Sequence, residues 1–109
     1  MAINNSQRAG FPTELAAVMT GSVVKIGTLT QSPVQIIFDN QGSASVAISV
    51  NDSTGATVWR TFPAGEALVL DMRGNHGIAP NFTMDVGTTF FGNGASGTFS
   101  ISYLYAVNM

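Results

Sequence analysis

Residues 45–72, SVAISVNDSTGATVWRTFPAGEALVLDM, decide the fold. Val46, Ile48 and Val50 alternate with Ala47 and Ser49, and a two-residue period places the three branched side chains on one face of a strand. Asn51-Asp52-Ser53-Thr54-Gly55 supplies a turn, because Asn and Asp bond their own backbone and Gly accepts positive φ. A second strand carries Val58, Trp59 and Phe62, and Pro63-Ala64-Gly65 breaks it. The third strand, Ala67-Leu68-Val69-Leu70, is apolar at every position. Both of its faces are therefore expected to be covered, one by the core and one by a partner. The outward side of Leu68 and Leu70 becomes a contact candidate.

Working outward, residues 1–14 read as an N-terminal arm. Asn4, Asn5, Ser6, Gln7, Gly10 and Pro12 show no apolar period, and such termini order only when tied down. Glu14 to Met19 has the composition of one helical turn, with Thr13 as a cap candidate, but it is too short to stand alone. It reads as the lead-in to a strand over 18–26, broken at Gly21. Pro33 opens the next strand, in which Val34, Ile36 and Phe38 point one way and Gln35 and Ile37 the other. Asp39-Asn40-Gln41-Gly42 is a turn signal. Residues 73–81, RGNHGIAPN, have no strand or helix pattern and read as a binding or crossover loop. β-pattern resumes over 82–86 and 88–91, Gly92 to Gly97 makes a turn, and 98–107 is the longest strand. The chain thus divides into the arm, 1–14, and one β-domain, 15–109. About eight short strands with Gly, Pro and Asn turns describe an all-β sandwich or barrel.

A chain of 109 residues makes one core. Only 9% of its residues are charged, against about 25% in ordinary soluble domains. Free monomers use charge to stay apart, so a neutral chain with positive mean hydropathy points to an exterior buried against other protein. The net charge of −2 and four scattered basic residues, Arg8, Lys25, Arg60 and Arg73, give no nucleic-acid stripe and no pull toward an anionic membrane. There are no cysteines, hence no disulfide or thiolate metal site. The N-terminal apolar run 15–19 is too short for a secretory signal, and no run approaches a membrane span.

Chemistry finds little to work with. His76 is the single histidine and lies in the irregular loop, without a G-x-S-x-G nucleophile signature elsewhere. Glu14, Asp39, Asp52, Glu66, Asp71 and Asp85 are spread singly, with Asp39 and Asp52 in turns, where Asp serves the backbone. No D-x-D-x-D run offers a calcium loop. No enzyme, cofactor or metal is expected. Trp59 and Arg60 are neighbours in a strand and so take opposite faces. Trp59 inside is the ordinary arrangement; Trp59 outside, near Tyr103 or Tyr105, makes a platform for a sugar ring.

The hairpin VAISVNDSTGATVW (46–59), the following PAGEALVLDM (63–72), the Asn/Gly loop and the final GTFSISYLYAV (97–107) resemble the small jelly-roll cement, decoration or head-stabilisation proteins of tailed bacteriophages. The resemblance implies a jelly-roll-like antiparallel sandwich of two four-stranded sheets. It implies a homo-oligomer, dimer or trimer, seated over joints between major capsid proteins on the outer surface of the virion, made in the host cytoplasm, with no catalytic residues. Phe11 and Pro12 in the arm, Arg73 and His76 in the loop, and Leu68 and Leu70 are the expected interface residues. A carbohydrate-binding β-sandwich module or a spike or fibre domain is the alternative.

Overall fold

Period-two alternation carries the chain into strands throughout, in a computed structural model that describes residues 8–9, 13–71 and 84–107. The strands are β1 (Arg8–Ala9), β2 (Thr13–Val18), β3 (Val24–Thr28), β4 (Pro33–Asn40), β5 (Val46–Val50), β6 (Val58–Phe62), β7 (Ala67–Asp71), β8 (Thr89–Gly94) and β9 (Thr98–Val107). One sheet has the order β2-β9-β4-β7, with β1 following β2 along β9; the other has the order β3-β8-β5-β6. Every pairing is antiparallel. Apart from the β5–β6 hairpin, the chain changes sheet between successive strands from β2 onward. That connectivity makes two Greek keys, the jelly roll. The all-β sandwich expected from the sequence is the fold.

Several boundaries differ from expectation. Part of the arm belongs to the sheet: Arg8 pairs with Val107, and Thr13 and Glu14 begin β2 against Tyr103 and Ser102. Residues 14–18 are strand, not a helical turn, because Leu15 and Ala17 have an inner face to cover. The break expected at Gly21, whose φ is 91°, is present, but it divides strands of different sheets, β2 ending at Val18 and β3 beginning at Val24. Asp39 lies in β4 rather than in a turn. Residues 84–88 form a turn closed by Thr88 N–H donating to the Asp85 carbonyl at 3.0 Å, not a strand.

The core lies between the two sheets. Phe38 of β4 meets Phe90 of β8 edge-on at 5.5 Å, Phe62 of β6 stacked at 5.7 Å and Trp59 tilted at 5.2 Å. Phe62 also meets Phe99 of β9 at 5.1 Å. Phe38, Phe62, Phe90 and Phe99 are fully buried, together with Ile36, Val46, Ile48 and Ile101. Each such side chain contributes about 2–3 kcal/mol by leaving water.

Among the described residues the buried polar ones are Asn40, Ser49, Thr88 and Ser100, and Asn40 is the most deeply buried. Asn40, 1% exposed at the end of β4, donates through Nδ2 toward the carbonyls of Ala44, Phe62 and Pro63 at 2.9–3.0 Å. Its Oδ1 accepts from Gly42 N–H at 3.1 Å. The residue thereby ties the β4–β5 crossover in one sheet-to-sheet step to the end of β6. Beside it Gly42 and Gly97 touch backbone to backbone: a Cβ on Gly97, whose φ is 90°, stands 2.6 Å from the Gly42 Cα. Only glycine fits there. Asn40→Ala, by stranding buried carbonyls, is expected to lower the unfolding free energy by about 2–3 kcal/mol in denaturant titrations. Asn40→Asp should cost more, since it removes the donor and aims a buried carboxylate at carbonyl oxygens.

Candidate functional site

With the inner faces closed by aromatic and aliphatic side chains, the outer faces and edges of the sheets carry whatever binding the domain does. On the outer face of β2-β9-β4-β7, register sets Ile37 between Val69 and Ser102, Gln35 beside Leu104, and Asp39 between Ala67 and Ser100. Gln35, Ile37, Ser102 and Leu104 line a shallow, mainly apolar recess on this face. Val69, 54% exposed, continues the aliphatic patch to the sheet edge. Among the described side chains of this face, Glu14 and Asp39 are the ionisable ones, and both are acidic. Gln41 Nε2 donates to Asp39 Oδ2 at 3.3 Å and to Ser100 Oγ at 3.1 Å.

The outer side of the other sheet is different. Lys25, Asn51, Ser53, Thr89 and Phe91 border an open polar hollow. Asn51, with φ 57°, accepts from Thr89 N–H at 2.8 Å, and the Thr28 and Thr89 hydroxyls bond at 2.9 Å. These contacts hold the β5–β6 turn onto β8. They leave no acid–base pair.

Leu68 and Leu70 were expected to present an outward side, and the structure corrects this. Both pack against the core as half-buried residues, because positions two apart on a strand share a face and here that face is the inner one. The outward aliphatic residue of β7 is Val69. The apolar run 67–70 does not reveal which face meets the second sheet; pairing of Val69 with Ile37 on the solvent side does. Phe11, Pro12, Arg73 and His76, the other interface candidates, lie outside the described residues.

Trp59 packs inward, tilted on Phe38 and 6.3 Å from Phe62. A bulge permits this. Ile48 pairs with Arg60 and Ser49 with Val58, which leaves Trp59 as the extra residue of β6. Arg60 stays at the surface, its guanidinium carbon 5.1 Å from the centre of the Phe62 ring and its Nη2 3.1 Å from Glu66 Oε1. With those side chains 41% and 34% exposed, the ion pair contributes at most about 1 kcal/mol.

Asp52 is a turn-former, as its position suggests. Oδ1 accepts from the Thr54 hydroxyl at 2.6 Å and from Thr54 N–H at 3.0 Å, and Oδ2 accepts from Thr57 N–H at 2.9 Å. The Thr54 hydroxyl first, then the two backbone donors, hold its pKa below the ordinary aspartate value. Among the described residues no three His, Cys, Asp or Glu side chains group to hold a metal ion, and no helix is long and apolar enough to cross a membrane. Comparison with family models, with curated proteins and with solved structures gives no match to this chain.

A group whose pKa is lowered by folding stabilises the fold above its unfolded pKa and stops doing so as pH falls through the folded one. Carboxyl NMR should therefore place the Asp52 midpoint below about 3.9. The stability difference between wild type and Asp52→Ala should be full at neutral pH and shrink on acidification below that value.

Proposed function

We propose that the chain is a structural virion protein, a capsid cement or decoration subunit that self-associates and stabilises contacts between major capsid proteins. The observation that carries this reading is the outer face of β2-β9-β4-β7, where Ile37, Val69 and Leu104 make an aliphatic patch among Ser100, Ser102 and Ala16 on a domain with so little charge. Such a face suits permanent burial in a lattice, where many copies act together and each needs modest affinity. The jelly-roll strand order agrees with it. The carbohydrate-binding alternative draws less support, since Trp59 lies against Phe38 and Tyr103 is 1% exposed.

The test is sedimentation of the purified full chain with assembled phage heads that lack a decoration protein, read as co-migration and as a raised temperature of head disruption. Removing residues 1–12 leaves the β2–β9 ladder intact, so the truncated chain is expected to keep its far-ultraviolet spectrum while binding heads more weakly. Undiminished binding by the truncated chain would remove the arm from the proposal. A full chain that stays in the supernatant would remove the proposal itself.

A further inference from the structure

The four sheet edges of the sandwich are not treated alike. The edge strand β3 carries a bulge between Lys25 and Gly27, with Lys25 exposed. The edge strand β6 carries the Trp59 bulge and Arg60. On the same side of the sandwich as β3, β2 has exposed Glu14, and its Leu15 covers Gly27 of β3: a Cβ on Gly27 stands 2.8 Å from Leu15 Cδ2. Charge, bulges and covering side chains are the usual guards against pairing with another chain. β7, Ala67–Asp71, has none of them: no proline, no glycine, no bulge in its register with β4, and no charge before its last residue.

The free backbone groups of this edge can be assigned. Asn40 N–H donates to the Glu66 carbonyl at 2.9 Å, and the register then runs Phe38 opposite Leu68 and Ile36 opposite Leu70. Hydrogen-bonded positions in an antiparallel pair alternate. Leu68 and Leu70 therefore spend their N–H and C=O groups on β4, whereas those of Ala67, Val69 and Asp71 point to the open side. Among the described residues no strand pairs there.

We infer that β7 is a homodimer edge, pairing antiparallel with β7 of a second copy about a two-fold axis through Val69. The occupant follows from self-complementarity. Centred on Val69, the register sets Val69 opposite its counterpart and Ala67 opposite Asp71 in both directions, so each outward group meets an outward group. The N–H and C=O of Ala67, Val69 and Asp71 are all satisfied in this one register. The outer-face patch then runs unbroken from Ile37 through both Val69 side chains to the second Ile37. Leu68, Leu70 and Trp59, which are only half-buried in one copy while the central strands are sealed, lie at this same side of the core. The β2-β9-β4-β7 sheets of the two copies join into one that is eight strands across. This names the surface for the self-association in the proposed function and selects a dimer; it does not require a capsid.

Because the test uses the free chain, with no shell present, its outcome is separate from that of head binding. Analytical ultracentrifugation of the wild-type chain should give twice the 11.4 kDa of one copy. Val69→Lys sets two ammonium groups directly opposite, a destabilising arrangement at an exposed position. That variant alone, and Val69→Glu alone, should sediment as single copies with unchanged circular dichroism, and an equal mixture of the two should recover the double mass. In a chain without cysteine, Val69→Cys should oxidise to a disulfide-linked dimer, and Val58→Cys, 47% exposed on β6, should not. A single-copy or trimer mass for the wild type, a Val69→Lys chain that still dimerises, or equal cross-linking at both cysteines would overturn the inference.

Discussion

The carboxamide of Asn40 is the constraint from which the arrangement of the two sheets follows. A sandwich held only by its apolar faces can slide, since dispersion between side chains is weakly directional. Asn40 removes that freedom by binding the carbonyls of Ala44, Phe62 and Pro63 from the end of β4. It thereby fixes the β6 end of one sheet to the β4 end of the other, where both strands leave the core. The Gly42–Gly97 contact closes the same end, and Met19 N–H to the Gly97 carbonyl at 2.7 Å brings the β2–β3 crossover to it. At the opposite end, Thr30 N–H donates to the Tyr103 hydroxyl at 3.2 Å, with the Thr30 hydroxyl 3.0 Å away. Polar groups therefore set register at both ends, while the phenylalanine cluster between them supplies the bulk of the stabilisation.

The sequence made some of this plain and concealed the rest for identifiable reasons. Alternation located β5 and β9 because large apolar residues alternate with small or polar ones: Val46 and Ile48 with Ala47 and Ser49, and Phe99 and Ile101 with Ser100 and Ser102. It could not orient β7, where both faces are aliphatic and burial is decided by the position of β6 and β8 across the core. It could not anticipate the Trp59 bulge, which adds a residue without any glycine or proline to announce it. Residues 14–18 carry alanines and a glutamate that suit a helix, and tertiary pairing with β9 overrides that preference. Asn40 looked like part of a turn signal, yet its role depends on carbonyls more than twenty positions away.

The outer aliphatic face was not legible in the sequence as a set of side chains. A low charged fraction and an apolar strand pointed to a covered surface, and the structure shows where an aliphatic outer face lies, at Ile37, Val69 and Leu104. Of the residues chosen from the sequence, Leu68 and Leu70 stand on the inner side by one position, and Phe11, Pro12, Arg73 and His76 lie outside the described residues. In a strand a shift of one residue exchanges solvent for core. The period of β4 puts Ile37 on the face opposite Phe38, and the β4–β7 register sets Val69 beside it.

Edge protection is unevenly distributed over a chain with so few charges, and the proposed dimer rests on that unevenness. A soluble β-protein without charge is exposed to pairing at every edge, and unguarded edges on both sheets lead to open-ended stacking rather than to a defined oligomer. Here bulges and charges act at β3 and β6, and Leu15 folds β2 against β3. Among the described residues, β7 alone keeps a regular ladder of unpaired groups with no charge before its last residue, Asp71. A single sticky edge that complements itself closes after one partner, because a two-fold contact uses up the surface that makes it. In the proposed dimer the neutrality of the outer faces is compatible with a defined assembly: the edge would set the stoichiometry, and the face beyond it would be left for a different surface.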